Sequence, residues 1–230
     1  MQLSGKVAIV TGSAGGIGAA VGGAFADAGA EVIGLDREQA DLSRPDEVET
    51  FFAGLERVDV LFNGAGISGR SLGDGPVDEC TVDGWNAVLA NNLTSVFLCS
   101  KHAIPLLRTA GGGAIVNLSS AMGITAGDDD FATHAYQVSM GGIITLTHAM
   151  AHHYGREGIR VNAIAPGLIA TPMSLRAQSD PAIVARLSEL HPLTGDFGRP
   201  EDVAGAAVYL ATAPFVTGAV LTVDGGWSVR

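Results

Sequence analysis

A chain of 230 residues, 47% of them hydrophobic, is long enough for one continuous α/β core and does not call for a second domain over 1–230. The formal charge is −11 and only two lysines occur, Lys6 and Lys101, which excludes a basic face able to track phosphates, so nucleic acid is not a partner. The longest apolar runs are broken by Gly, Thr or His well short of a membrane span, which excludes a membrane-embedded protein.

Met1 to Lys6 passes straight into a strand pattern, without a basic segment and a long apolar stretch, so the reading is a cytoplasmic protein with no secretory signal. Cys80 and Cys99 form no CxxC pair and fall in apolar helical patterns, as reduced structural thiols do. Short Val/Ile/Leu-rich runs alternate with Ala-rich segments of helical period, the pattern of βαβ units. Strands are predicted over Val7 to Thr11, Glu31 to Leu35, Val58 to Phe62, Gly113 to Leu118, Ile159 to Ala163 and Ala219 to Val223. Helices are predicted over Gly16 to Ala28, Pro45 to Leu55, Val82 to Arg108, Ala135 to Tyr154, Pro181 to Leu190 and Pro200 to Ala211. The fold expected is a single doubly wound Rossmann domain, with a mainly parallel sheet of six to seven strands flanked by helices. After the second strand, Asp36 to Asp41 is too short for a crossover helix, so a strand near Gln39 to Asp41 is vestigial or reached by a bare loop.

The first strand runs into Thr11-Gly12-Ser13-Ala14-Gly15-Gly16-Ile17-Gly18 and then an Ala-rich helix. Glycines let the backbone turn tightly and approach a pyrophosphate, whose charge meets amide groups and the positive end of the helix. Asp36 falls 18 positions after Gly18 (36 − 18), at the end of the next strand, where an acid can accept both ribose hydroxyls. Its carboxylate repels a 2′-phosphate, which favours NAD over NADP, although a guanidinium at Arg37 could tolerate the phosphate.

The Thr-Gly-x-x-x-Gly-x-Gly segment at Thr11 to Gly18 resembles the fingerprint of the classical short-chain dehydrogenase/reductase family, and further matches follow in order over nearly the whole chain. Asn63-Gly64-Ala65-Gly66 resembles the family's Asn-Asn-Ala-Gly, with glycine for the second asparagine, and Asp41-Leu42 resembles its adenine-contacting pair. Pro166-Gly167 with Thr171 resembles the segment that closes on nicotinamide, and Thr217-Gly218 to Asp224-Gly225-Gly226 resembles the last strand. The resemblance implies that Ser13, Ala14 and Ile17 lie with the glycines at the dinucleotide, that Asn63 and Gly64 line the adenosine side, and that the Ile169 backbone and Thr171 hydroxyl hold the carboxamide.

Oxidising a secondary alcohol, or reducing a ketone, needs a base near the working pH and a donor for the carbonyl oxygen. The family uses Ser, Tyr, Lys and an Asn. By resemblance Ser120 rather than Ser119 polarises the substrate oxygen, Tyr136 is the acid/base, and Asn92 orders a water in the proton relay. Position 140, one helical turn after Tyr136, carries Met140 where the family has lysine. Methionine nearly matches lysine in length and removes only the charge, so hydride transfer is expected to be impaired. The alternative is a catalytically silent NAD-binding or regulatory subunit. Lys101 is read on the outer part of its helix; His134, His148, His152 and His153 are read as structural or subunit-contact residues, with no metal implied.

The acidic loop Gly127 to Phe131 is expected over the substrate pocket, either as an acidic rim suited to polyols, sugars or cationic groups, or as a solvated loop. Residues 170–195 resemble the family's mobile lid, in which Arg176 could meet an anionic group. Trp227 and Arg230 close the chain, where the family often reaches into a neighbouring subunit. Apolar or small residues on more than one face of the two long helices, among them Val96, Cys99, Ala149, Met150 and Ala151, point to a homodimer with a four-helix contact, and by resemblance to a homotetramer.

Overall fold

The structure, a computed structural model, describes residues 2–229; the expectation placed on Arg230 lies outside them. Six strands, β1 (Val7–Thr11), β2 (Glu31–Leu35), β3 (Val60–Asn63), β4 (Gly113–Leu118), β5 (Ile159–Pro166) and β6 (Val220–Val223), form one parallel sheet in the order β2-β1-β3-β4-β5-β6. The chain order reverses between β1 and β3, so a crevice opens beyond the carboxyl ends of these strands.

Alternation along each strand divides the core between the two faces of the sheet. Ala8, Val10, Phe62, Val116 and Ile164 pack on one face against α1 (Gly16–Asp27) and α9 (Pro200–Thr212). Ile9, Leu61, Ile115 and Val161 pack on the other, against α2 (Pro45–Ala53), α4 (Ser95–Thr109) and α5 (His134–Tyr154). Among the described residues no helix is long and apolar enough to cross a membrane.

The shortened connection resolves as a bare turn, with the Gln39 and Ala40 amides donating to the Asp36 carbonyl, and β2 is left as the sheet edge. Two expected helices are not continuous. Val82 to Arg108 divides into α3 (Val82–Leu89) and α4, joined by a π-helical stretch at Ala90–Thr94. Pro181 to Leu190 divides into α7 (Pro181–Ala185) and α8 (Leu187–Leu190), preceded by α6 (Leu175–Ser179), because the backbone leaves helical geometry at Arg186. Apolar periodicity does not register a one-residue widening or a single misplaced dihedral.

Cys99 is buried in α4, which pushes its thiol up to about 12, whereas Cys80 sits in the loop before α3 rather than in a helix. Val96, Cys99, Met150 and Ala151 are buried inside the protomer, whereas Ala149 and the histidines His148, His152 and His153 are exposed, and Phe97 and Val138 are the large apolar groups that α4 and α5 present outward.

Asp59, 2% exposed just ahead of β3, fastens the start of the sheet. Its carboxylate accepts from Arg57 Nε (2.7 Å), Lys6 Nζ (2.9 Å) and the Val7 amide (3.0 Å). Burial pushes its pKa up, but these hydrogen bonds outweigh burial and hold it well below the usual carboxylate range. A carboxyl group with a depressed folded-state pKa stabilises above its unfolded value and loses that contribution as the pH falls. Asp59→Ala is therefore expected to cost about 2 kcal/mol at neutral pH, chiefly through the orphaned Val7 amide and lost ion pairs. Urea unfolding of the two chains should converge progressively below about pH 4.

Candidate active site

A cleft of about 1270 Å³ lies along the carboxyl ends of β1, β3, β4 and β5. At its dinucleotide end the Thr11 hydroxyl accepts from the Gly64 and Ala65 amides (2.9 and 3.1 Å), which ties the β1 turn to the end of β3. The turn needs glycine at two points: Gly12 has φ +71°, and a Cβ on Gly18 would stand 2.0 Å from the Gly12 carbonyl oxygen. The following helix, α1, starts at Gly16 with no side-chain cap and no acid in its first turn. Its leading amides are thus available to an anion in the cleft. Gly12, Ser13, Ala14, Gly16, Ile17 and Gly18 all line the cleft, as do Ala65 and Gly66.

Asp36, at the end of β2, accepts from Ser13 Oγ (2.7 Å) and the Ala14 amide (2.6 Å) through Oδ2. The same oxygen takes both bonds, so Oδ1 of this cleft-lining residue takes no hydrogen bond among the described residues. Arg37, Asp41 and Leu42 line this end too; Arg37 donates to Asn91 Oδ1 (3.4 Å), and hydrogen bonds from Ser43 keep the Asp41 carboxyl below its ordinary range. An uncapped helix start, a glycine cradle and a strand-end carboxylate fit a nicotinamide dinucleotide.

Two residues expected at the cleft do not line it. Asn63 is buried, donating from Nδ2 to Asn117 Oδ1 (2.8 Å) and Ser100 Oγ (3.2 Å), and Asn117 donates onward to Thr147 Oγ1 (2.9 Å). It joins β3, β4, α4 and α5 from within, leaving Gly64 alone of the pair beside the cleft. Asn92 is also buried: Oδ1 accepts from the Ile67 amide (2.8 Å), while Nδ2 donates to the Ile67 carbonyl (3.0 Å) and Ser139 Oγ (3.2 Å). The π-helical stretch carries it, and both ends of its amide group are spent on the chain.

Ser120, just past β4, and Tyr136, in the first turn of α5, both line the cleft, where the Ser120 hydroxyl favours the ionised form of the Tyr136 phenol. Ser119 takes no part, since its hydroxyl is tied to the Met140 carbonyl (2.9 Å). Met140 packs with Val96, Ile143 and Tyr136 and is 5% exposed, with its exposed edge on the cleft. Burial raises the Tyr136 phenol above the ordinary phenol value, and Ser120 offsets only part of this; no cation contributes. Lys101 is exposed, and none of His134, His148, His152 and His153 lines the cleft. Among the described residues no group of three or more metal-ligating side chains occurs.

Pro166, Gly167, Ile169 and Thr171 line the cleft after β5. Their loop is held by a residue the sequence reading does not find: His191 is 2% exposed, and its Nε2 accepts from the Leu168 amide (3.1 Å) while Nδ1 faces the Asp196 carbonyl (2.8 Å). A carbonyl can only accept, so the proton sits on Nδ1. No periodic pattern marks a single histidine in the loop between α8 and α9. Asp74 is a second such residue: only 5% exposed, it accepts from the Ala135 and Tyr136 amides (2.9 Å each) and so caps α5 from another loop.

At the outer end of the cleft stand Phe131 and Trp227, ring centroids 5.0 Å apart, with Thr133, Met173, Arg70 and Arg176. Of the loop Gly127 to Phe131 only Phe131 lines the cleft. Asp128 and Asp130 are turned to Arg186, and Asp129 is exposed, so no acidic rim surrounds the substrate end.

The chain resembles proteins of known kind along its whole length. A family model described as enoyl-(acyl carrier protein) reductase matches residues 38–228. Galactitol 2-dehydrogenase (L-tagatose-forming) of Cereibacter sphaeroides is 36% identical, covering 99% of this chain and 97% of its own. D-threitol dehydrogenase of Mycolicibacterium smegmatis is 33% identical, covering 100% and 95%. A Beutenbergia cavernae protein provisionally assigned as an NAD(P)-dependent gluconate 5-dehydrogenase, with NADP bound at low occupancy, superposes with a TM-score of 0.90 at 31% identity, covering 100% and 99%. The six-stranded parallel sheet, the cleft at its switch point and these relatives together make the chain a member of the short-chain dehydrogenase/reductase family of oxidoreductases.

Proposed function

We propose that this chain is an NAD-dependent dehydrogenase of secondary alcohols, acting on hydroxylated substrates akin to those in its relatives' names, and that Met140 slows it. The observation that carries the reading is that Ser120 and Tyr136 line the same cleft as the uncapped start of α1. When bound, the dinucleotide supplies the hydride acceptor. Ser120 and Tyr136 hold the substrate oxygen, and Tyr136 accepts the hydroxyl proton. Asn92 serves this arrangement by fixing Ile67, whose segment lines the cleft, and by bonding Ser139, one residue before Met140. The segment 170–195, with Met173 and Arg176 at the cleft, acts as a lid over a single-domain site and excludes water on closure.

NAD is preferred over NADP because the free oxygen of Asp36 suits a ribose diol and repels a phosphate. Asp36→Ser should weaken NADH about tenfold and narrow its advantage over NADPH, as read by quenching of the two cofactors' fluorescence. An unchanged NADH-to-NADPH ratio contradicts the assignment. The protomer is proposed to be cytoplasmic and to pair through the α4/α5 face bearing Phe97 and Val138 into a homodimer or homotetramer.

Met140 favours a second reading, an NAD-binding or regulatory subunit without turnover. The test is to assay Met140→Lys with NAD on galactitol, threitol and further secondary alcohols. Turnover supports the dehydrogenase; NADH binding with no turnover on any of them supports the silent subunit.

A further inference from the structure

We propose that the outer end of the cleft holds a carboxylate of the substrate between Arg70 and Arg176, which narrows the substrate from secondary alcohols at large to hydroxy-carboxylates. The proposal rests on the dehydrogenase reading above.

The two arginines come from separate elements, a 3-10 turn at Arg70–Leu72 and helix α6, and both line the cleft. Each sends an Nη2 to the same acceptor, the Asp130 carbonyl, at 3.0 and 2.7 Å, so these nitrogens lie no more than 5.7 Å apart, the sum of the two lengths. Both side chains are exposed, so water screens their repulsion, but two like charges facing one neutral carbonyl still make a place that favours an anion. The protein supplies none at hydrogen-bond distance among the described residues. The nearest carboxylate to Arg176 is Asp180, at 3.9 Å, and no ion pair involves Arg70. The acids of the adjacent loop are committed elsewhere, Asp128 and Asp130 both to Arg186.

Charge along the cleft is divided in the same sense. Its acidic lining, Asp36, Glu38 and Asp41, lies wholly at the adenosine end, and among the described residues Arg70 and Arg176 are the only charged side chains that line the substrate end. In a chain of net charge −11 this is a local reversal of sign. A guanidinium has five N–H donors in a planar fork, and each of these cleft-lining arginines gives one to the Asp130 carbonyl, which leaves further donors for a planar carboxylate. An uncharged polyol would occupy the Ser120–Tyr136 end equally well but would leave this pair unneutralised.

The test is calorimetric titration of the chain, saturated with NADH, using two matched pairs of probes: gluconate against glucitol, and 4-hydroxycyclohexanecarboxylate against 1,4-cyclohexanediol. At least one acid should bind about tenfold or more tightly than its neutral partner, and its affinity should fall with ionic strength. Arg70→Gln and Arg176→Gln should each lower the acid-to-neutral ratio about tenfold. Equal affinity within both pairs, failure of both acids to bind, or a loss shared equally by acid and neutral probe overturns the proposal; the last result marks the pair as a clasp for the 127–131 loop. NADH fluorescence and Met140→Lys turnover are recorded alongside. Absent NADH binding sinks the dehydrogenase reading itself. Turnover of neutral alcohols with no preference for acids sinks the carboxylate site alone.

Discussion

Met140→Lys is expected to speed NAD-dependent alcohol oxidation by about tenfold to a thousandfold at neutral pH, because an adjacent cation lowers a titrating acid by about 1 to 3 units. The sign follows from Tyr136. Proton acceptance needs the phenolate, burial raises the phenol above its ordinary value, and the Ser120 hydroxyl is the only opposing influence. The parent rate should therefore climb about tenfold per pH unit and still be rising near pH 10. An ammonium group at position 140 would shift the climb to lower pH, so that the Met140→Lys profile levels off where the parent's has not. The replacement lies against Val96 and Ile143, and a lysine stem can keep those contacts while its head turns to the cleft that Met140 already lines. Adding Tyr136→Phe should return the rate to background. A parent profile flat from about pH 7 to 10 would remove the explanation offered for the defect.

The chemistry was readable because it is local. Thr11 to Gly18 couples a strand, a turn and a helix start within eight residues, and the structure puts Gly12 to Gly18 on the cleft, with Thr11 buried at the end of β1. Tyr136 and Met140 share a helix face by spacing alone. The short reach from Asp36 to Asp41 could not hold a crossover helix, and the sheet ends at β2. What escaped the reading depends on distant partners. Asn63 and Asn92 carry side chains like those of cleft residues, yet Asn117, Ser100 and the Ile67 backbone claim them first. The run Asp128-Asp129-Asp130 reads as a negative rim until Arg186, 56 residues after Asp130, neutralises two of its members. The inward and outward faces of α4 and α5 could not be told apart from the sequence for a related reason: a helix rich in small residues has no single apolar stripe, so Cys99 and Met150 could be assigned to either side.

Asp74→Ala is expected to destabilise the fold by about 2 to 4 kcal/mol, more than any surface change, because the start of α5 depends on a carboxylate from elsewhere. Thr133 occupies the cap position of α5 but makes no side-chain cap bond, and Asp74, 61 residues before Ala135, takes the leading amides instead. The His134 amide is satisfied by the neighbouring Gly75 carbonyl, so the whole first turn hangs on one loop. Removing the carboxylate orphans two amides at a buried site and withdraws negative charge from the positive end of a 21-residue helix. Asp74→Asn keeps only one of the two acceptor oxygens and sets an N–H donor against the other amide, so it should cost about 1 to 2 kcal/mol in the same urea titration, less than the alanine but not nothing. One of the orphaned amides belongs to Tyr136 itself, so the effect should extend to chemistry. In a chain already carrying Met140→Lys, Asp74→Ala should lower kcat at temperatures where the protein is still folded, with KM little changed, and Asp74→Asn, which keeps one acceptor of two, should restore part of it. Equal kcat in all three would leave Asp74 as a fastening of the loop with no part in setting the phenol against Ser120.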